Sequence, residues 1–198
     1  MTVVIAFHTT DRLYTEAARR LRASAVKWNI PIETEAVDPG LWQDISAKKP
    51  AFILKMLDHL YPLSLLYTDA DSVIEQPLTH LETFTDDVGY CARGGEILAG
   101  TIYIRNTAPS RLFLDWWIKN MVVHPKIADQ ATFQQAVRAL GKTVKLGRLP
   151  AGYCRIFDLM KDEPAFITHY QASRVFKSVN KEKAEAAFLA RMPDYSKS

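Results

Sequence analysis

The chain has 198 residues, of which 48% are hydrophobic and 24% charged, an ordinary composition for one globular domain of about 100–200 residues. No run of roughly 18 apolar residues occurs, and residues 1–7 are too short and lack the basic flank of a signal peptide. The expectation is a soluble, cytoplasmic protein. A formal charge of +3 suits a phosphate-bearing ligand but falls short of a nucleic-acid footprint. The two cysteines, Cys91 and Cys154, form no close pair of the kind that holds a metal or a redox bond.

Residues 2–7 are β-branched and apolar and predict a buried first strand that ends at His8-Thr9-Thr10-Asp11. Leu13, Ala17, Ala18, Leu21 and Ala25 recur at helical spacing, with Thr10 or Asp11 placed to cap the helix. A second strand over 32–37 follows Pro31. Residues 51–60 carry Phe52, Ile53, Met56, Leu57 and Leu60 at helical spacing, and 63–67 form a short buried strand after Pro62. Strands are expected at 88–92 and 100–105 around Arg93-Gly94-Gly95, then an amphipathic helix over 110–121. In that helix Trp116 and Trp117 are packing residues rather than a sugar platform.

A helix over 129–140, a strand over 143–146, a last short strand over 166–168 and a peripheral helix from about 180, fraying after Pro193, complete the chain. Arg19, Arg20 and Arg22 are expected on a solvated helix face. The alternation of helix and strand predicts an α/β fold, a single domain over 1–198 with a mostly parallel central sheet flanked by helices.

In open α/β sheets ligands collect beyond the carboxyl ends of strands, and Asp69-Ala70-Asp71 ends one buried run. On extended backbone both carboxylates point to one side, with Ala70 turned to the core. Hard divalent cations such as Mn2+ or Mg2+ favour such oxygen ligands, and surface-turn formation explains the same residues otherwise.

The stretch Leu65-Leu66-Tyr67-Thr68-Asp69-Ala70-Asp71-Ser72-Val73-Ile74 resembles the strand and DxD motif of nucleotide-diphospho-sugar transferases of the GT-A fold, the glycogenin- and galactosyltransferase-like enzymes. Lys49-Pro50-Ala51-Phe52-Ile53-Leu54-Lys55 is similar to the segment upstream of that strand. Leu98-Ala99-Gly100-Thr101-Ile102-Tyr103-Ile104-Arg105-Asn106-Thr107 is similar to the N-S-G strand and the R-N-T turn, with Leu98-Ala99 replacing Asn-Ser. Asp129-Gln130 heads a helix as in many members, and Thr168-His169-Tyr170 resembles the late histidine of the metal site. Ala172 and Val175 occupy the glycine and lysine positions of the family's H-x-x-G-x-x-K.

The resemblance implies a Rossmann-like GT-A domain that transfers a sugar from a nucleoside diphosphate, a UDP-sugar, to a hydroxyl acceptor. It implies Asp69, Asp71 and His169 as ligands of Mn2+ or Mg2+, with Asp69 on the metal or on ribose. His8 and Thr9 then lie where relatives hold nucleobase and ribose, although a turn explains them too. Ala70 and Gly100 line the donor, and Lys55 with Arg174 or Lys177 contacts its phosphates.

Asp129 and Gln130 face the sugar or acceptor, Asp129 alternatively being only a helix cap. The acceptor class stays open among glycan, lipid, protein and a modified DNA base, and a homodimer is an expected way to shape that side of a small domain. The rivals are a nucleotide-sugar nucleotidyltransferase, against which the glycine-free stretch 7–12 counts, and a non-catalytic nucleotide- or nucleic-acid-binding module.

Overall fold

The computed structural model describes residues 1–197. Its elements are β1 (Thr2–Thr9), α1 (Arg12–Lys27), β2 (Ile32–Val37), α2 (Trp42–Ala47), α3 (Lys49–His59), β3 (Ser64–Thr68), β4 (Ser72–Ile74), β5 (Val88–Arg93), β6 (Glu96–Ile104), α4 (Ala108–Val123), α5 (Asp129–Leu140), β7 (Leu146–Arg148), β8 (Arg155–Ile156), β9 (Ile167–His169), α6 (Ser173–Phe176) and α7 (Lys181–Arg191).

Six strands form the central sheet in the order β2-β1-β3-β6-β5-β7. β1 runs parallel to β2 and β3, and β5 parallel to β7, while β6 is antiparallel to both its neighbours. Both faces of this sheet are covered, which is why β1 reads as a continuous apolar run. Val3, Ile5 and Phe7 pack with Phe52, Phe113, Trp117 and Phe133 of α3, α4 and α5. Val4 and Ala6 turn the other way, onto Leu21 and Ala25 of α1 and Ile74 of β4.

A second sheet, β4-β9-β8, crosses the carboxyl end of β3 and joins Ser72 to His169 in antiparallel register. Residues 97 positions apart in sequence thus become neighbours. The β5–β6 hairpin turns at Gly94 and Gly95, whose φ of 53° and 86° are ones that side chains oppose.

Several expectations shift. Asp11 does cap α1, its carboxylate accepting from Tyr14 N at 3.1 Å. The strand expected over 143–146 begins only at Leu146, because Thr143 N and Val144 N still bond the carbonyl of Leu140 and prolong the end of α5. Trp117 is fully buried, and its indole donates to Thr132 Oγ1 at 3.0 Å.

The solvated arginine face is overturned at Arg20, while Arg19 is partly exposed and ion-paired. Arg20 is 9% exposed and donates to the carbonyls of Leu189 and Met192, and Arg19 pairs with Asp194 at 2.6 Å. The chain after Pro193 does not fray but forms a 3-10 turn at Tyr195–Lys197, with the Tyr195 hydroxyl donating to Glu75 at 2.9 Å. Among the described residues no helix is long and apolar enough to cross a membrane.

Candidate active site

The end of β3 carries the densest group of buried charge. Asp69-Ala70-Asp71 is a tight turn rather than the extended strand expected, closed by Ser72 N donating to Asp69 O at 3.1 Å. Ala70 is 3% exposed, in the core as expected, while the turn brings both carboxylates to one place. Asp71 Oδ2 accepts from Ala172 N at 2.6 Å, and Tyr170 N donates to Asp71 O at 2.9 Å. Ala172, three residues after His169, therefore aims Asp71 through its backbone.

His169, on β9, is 1% exposed. Its Nε2 lies 2.9 Å from Thr101 Oγ1 of β6, and in the tautomer that donates this bond the other ring nitrogen keeps a lone pair. Burial lowers the imidazole pKa to about 4, so the ring is neutral near pH 7. Burial and the nearby Asp69 raise the Asp71 carboxyl to about 7, the response of a buried acid beside a like charge.

Asp69, Asp71 and His169 each offer one ligand atom, and these lie within 4.8 Å of one another. Three such atoms, each about 2.1 Å from a single ion, would stand about 3–4 Å apart. Two carboxylates and a neutral imidazole are donors that a divalent cation accepts, and a cation there would supply the charge the Asp69–Asp71 pair lacks.

Gly100 makes the crossing of β6 and β9 feasible. Its carbonyl accepts from Asp69 N at 2.9 Å, and an added Cβ would meet His169 Cε1 at 3.0 Å and Cys154 Sγ at 3.1 Å. Burial pushes the Cys154 thiol up to about 12, leaving it protonated packing rather than a ligand.

Beside the turn lies Lys49, with its side chain 6% exposed. Its Nζ is 2.6 Å from Asp129 Oδ2, 3.1 Å from Asp69 Oδ1 and 3.0 Å from the carbonyl of Ala99, which uses all three ammonium protons. Burial acts to lower its pKa, but Asp129 and Asp69 outweigh burial and hold it above the usual lysine value. Tyr67 donates to Asp69 Oδ1 at 2.7 Å. The N-cap of α5 is Ala128 and no side chain caps the helix, so the carboxylate of Asp129 serves Lys49 instead of a cap.

Other expected residues stand apart from this group. Lys55 is 61% exposed and pairs with Glu35 at 2.6 Å. Six residues along a helix amount to about 600° of rotation, so Lys49 and Lys55 leave α3 on different faces. Arg174 pairs with Asp158 at 2.5 Å and lies over the Phe157 ring, and Lys177 is exposed just past α6. Val175, where the H-x-x-G-x-x-K spacing would put a lysine, is buried with Val73 and Leu13.

Gln130 sits on the rim, donating to Glu96 at 2.7 Å. His8 and Thr9 are buried at the end of β1, where His8 Nδ1 is 2.9 Å from Thr9 O and Thr9 Oγ1 donates to Asp11. Tyr14 is a site neighbour the apolar spacing of α1 passes over. Burial, then Asp71 and Asp69, raise its hydroxyl well above the usual value, and its ring stacks on Phe176 at 5.8 Å.

No family model and no curated protein sequence matches the chain. Solved structures do. A glycosyltransferase involved in the glycosylation of the major capsid of PBCV-1 superposes with a TM-score of 0.72 at 11% identity, over 96% of this chain and 98% of that one. The glycosyltransferase GlyE of Streptococcus pneumoniae TIGR4 gives 0.62 at 15% identity, over 99% of this chain and 62% of GlyE. The galactosyltransferase LgtC, solved with donor and acceptor sugar analogues, gives 0.54 at 13% identity, over 97% and 96%. The chain has the GT-A glycosyltransferase fold. At these identities the likeness is one of fold, and within it the Asp69–Asp71–His169 group lies just beyond β3, a mid-sheet strand.

Proposed function

We propose that the protein is a metal-dependent glycosyltransferase that moves a sugar from a nucleoside diphosphate donor, a UDP-sugar, to a hydroxyl acceptor. The observation that carries this reading is the convergence of Asp69, Asp71 and His169 at the end of β3 in a glycosyltransferase fold. These three residues would hold the divalent cation, which would supply positive charge to stabilise the departing diphosphate. Ala172 N keeps Asp71 in place, and Thr101 orients His169.

Lys49 ties the metal-side carboxylate Asp69 to Asp129, so the two sides of the reaction share one rigid link. Asp129 meets the sugar or acceptor hydroxyl, with Gln130 beside it on the rim. His8, Thr9 and Tyr14 border the nucleoside end, and Lys177, or Arg174 once released from Asp158, reaches the phosphates.

The test is thermal. UDP with Mn2+ at about 100 times the dissociation constant should stabilise the fold by roughly 2.7 kcal/mol, and chelator should remove the gain. An equal gain from UDP alone rejects the metal site. The nucleotidyltransferase reading would instead require stabilisation by nucleoside triphosphate over UDP.

A further inference from the structure

α4 packs against both α3 and α5 on one face of the central sheet. Phe113, Leu114, Trp117 and Met121 are buried in the core beneath it. On one flank Arg111 reaches Asp58 of α3 at 2.5 Å, and on the other Asn120 donates to Gln135 of α5 at 2.6 Å. The arc between those flanks looks outward, and it is not a polar surface. Leu112 is 46%, Val122 75% and Val123 69% exposed, and among the described residues no other α-helix exposes more than one large apolar side chain.

At about 100° and 1.5 Å per residue, Leu112, Asp115, Lys119 and Val122 fall within an arc of about 80° and form one line about 15 Å long. The order along it is apolar, acid, base, apolar. Asp115 and Lys119 are both exposed. An acid four residues before a base is the favourable order for pairing along a helix, yet these two form no ion pair, and among the described residues neither side chain has another partner. Both charges are left open, flanked by open apolar groups.

We infer that this face of α4 is where two copies of the chain associate about a two-fold axis, with their α4 helices antiparallel. A two-fold operator that pairs residue i of one copy with residue j of the other also pairs j with i. With the axis level with Trp117, Leu112 meets Val122 of the second copy and Asp115 meets Lys119, each contact occurring twice. The line is its own complement when read backwards. A second copy therefore satisfies both charges and covers both apolar ends, whereas parallel helices would set Asp115 against Asp115. One helix face of about three turns is small beside the roughly 800 Å2 that each partner of a stable complex buries, so the dimer is reversible and depends on concentration. The inference does not depend on the glycosyl-transfer reading.

The experiment is sedimentation velocity over about 1–300 μM protein, applied to wild type, Asp115→Lys, Lys119→Asp and the double variant that exchanges the two charges. Wild type should pass from monomer to dimer across that range. Each single variant sets like charges opposite one another twice and should weaken association by about tenfold or more, while circular dichroism and the melting temperature of the dilute monomer stay unchanged because the positions are exposed. The double variant should dimerise as wild type does. An equimolar mixture of the two single variants should dimerise as well, since one is then basic and the other acidic at both positions.

A wild type that stays monomeric at about 300 μM overturns the inference. So does a single variant that dimerises as well as wild type, or a mixture of the two that stays monomeric. A monomeric wild type that instead floats with vesicles of anionic lipid would give the α4 face to a membrane surface and not to a second copy.

Discussion

Lys49 and Arg20 are both buried cations, and the protein neutralises them differently. Lys49 is met by two carboxylates and one carbonyl at the end of β3. Arg20 is met by one partly exposed carboxylate, Glu16, and by two backbone carbonyls at the end of α7. Carbonyl dipoles carry no net charge and Glu16 is partly exposed to screening water, so removing the guanidinium of Arg20 strands little buried charge. At Lys49 the opposite holds, because removing the ammonium strands two acids in a site already crowded with negative charge. The first arrangement fastens a tail. The second gathers buried charge of both signs at a strand end, where under the proposed function a cation and a substrate would meet it.

The sharpest break of the comparison is Asp71→Asn, which keeps shape and the bond from Ala172 N while removing a charge. Transfer should fall by about 10³-fold and the Mn2+-dependent shift with UDP should vanish, with little change in unfolding midpoint without ligand. Retained Mn2+-dependent UDP binding would remove Asp71 from the metal site. Next is Lys49→Met. Breaking a buried pair by deleting one partner costs about 3–5 kcal/mol, so urea unfolding should reveal a large loss, and adding Asp129→Asn should recover part of it. A loss near zero would make the cluster of Asp69, Lys49 and Asp129 a surface-like pair.

Asp129→Asn alone tests chemistry more than stability. Asn can still accept a bond from Lys49 but cannot take a proton, so single-turnover transfer should drop by about 10²-fold with UDP binding nearly unchanged. Equal turnover would make Asp129 a positioning partner of Lys49 only.

Most of what lies near in sequence was legible. The place of Asp69-Ala70-Asp71 at the end of β3, though not its turn, the start of α5 and the strand β2 follow from runs of a few residues whose polarity changes abruptly. What the sequence hid depends on distant partners. β4 is three residues long and has no pattern of its own until β9 pairs with it.

The burial of Arg20 needs α7, some 160 residues further on, and lysines and arginines are normally expected outside. The choice between Lys49 and Lys55 fails for the same reason. Both sit on one helix, and the sequence ranks apolar faces well but says little about which charge a neighbouring strand end will draw inward. Val175, where the H-x-x-G-x-x-K spacing would put a lysine, is instead held in the cluster of Val73 and Leu13.

The smallest expected effect belongs to the tail and follows from the Glu16 pKa. Hydrogen bonds from Arg19, opposed by some burial, then Arg20, lower Glu16 from its ordinary 4.5 to about 2. A carboxyl depressed on folding contributes stability that is fully present above its unfolded value and is lost as pH falls through the folded one. The contribution should therefore hold above about pH 4.5 and fade towards pH 2.

Glu16 is partly exposed, so its worth is at most about 1 kcal/mol, and Arg20 keeps its bonds to Leu189 and Met192 whatever the pH. Amide exchange in α7 should accordingly be only modestly faster in Glu16→Gln than in wild type at pH 7. The two proteins should converge as the pH approaches 2. Convergence already at pH 5 would show that the arginines do not hold Glu16 ionised, whereas complete release of α7 in the variant would show that Glu16 and not the pair of carbonyls anchors Arg20.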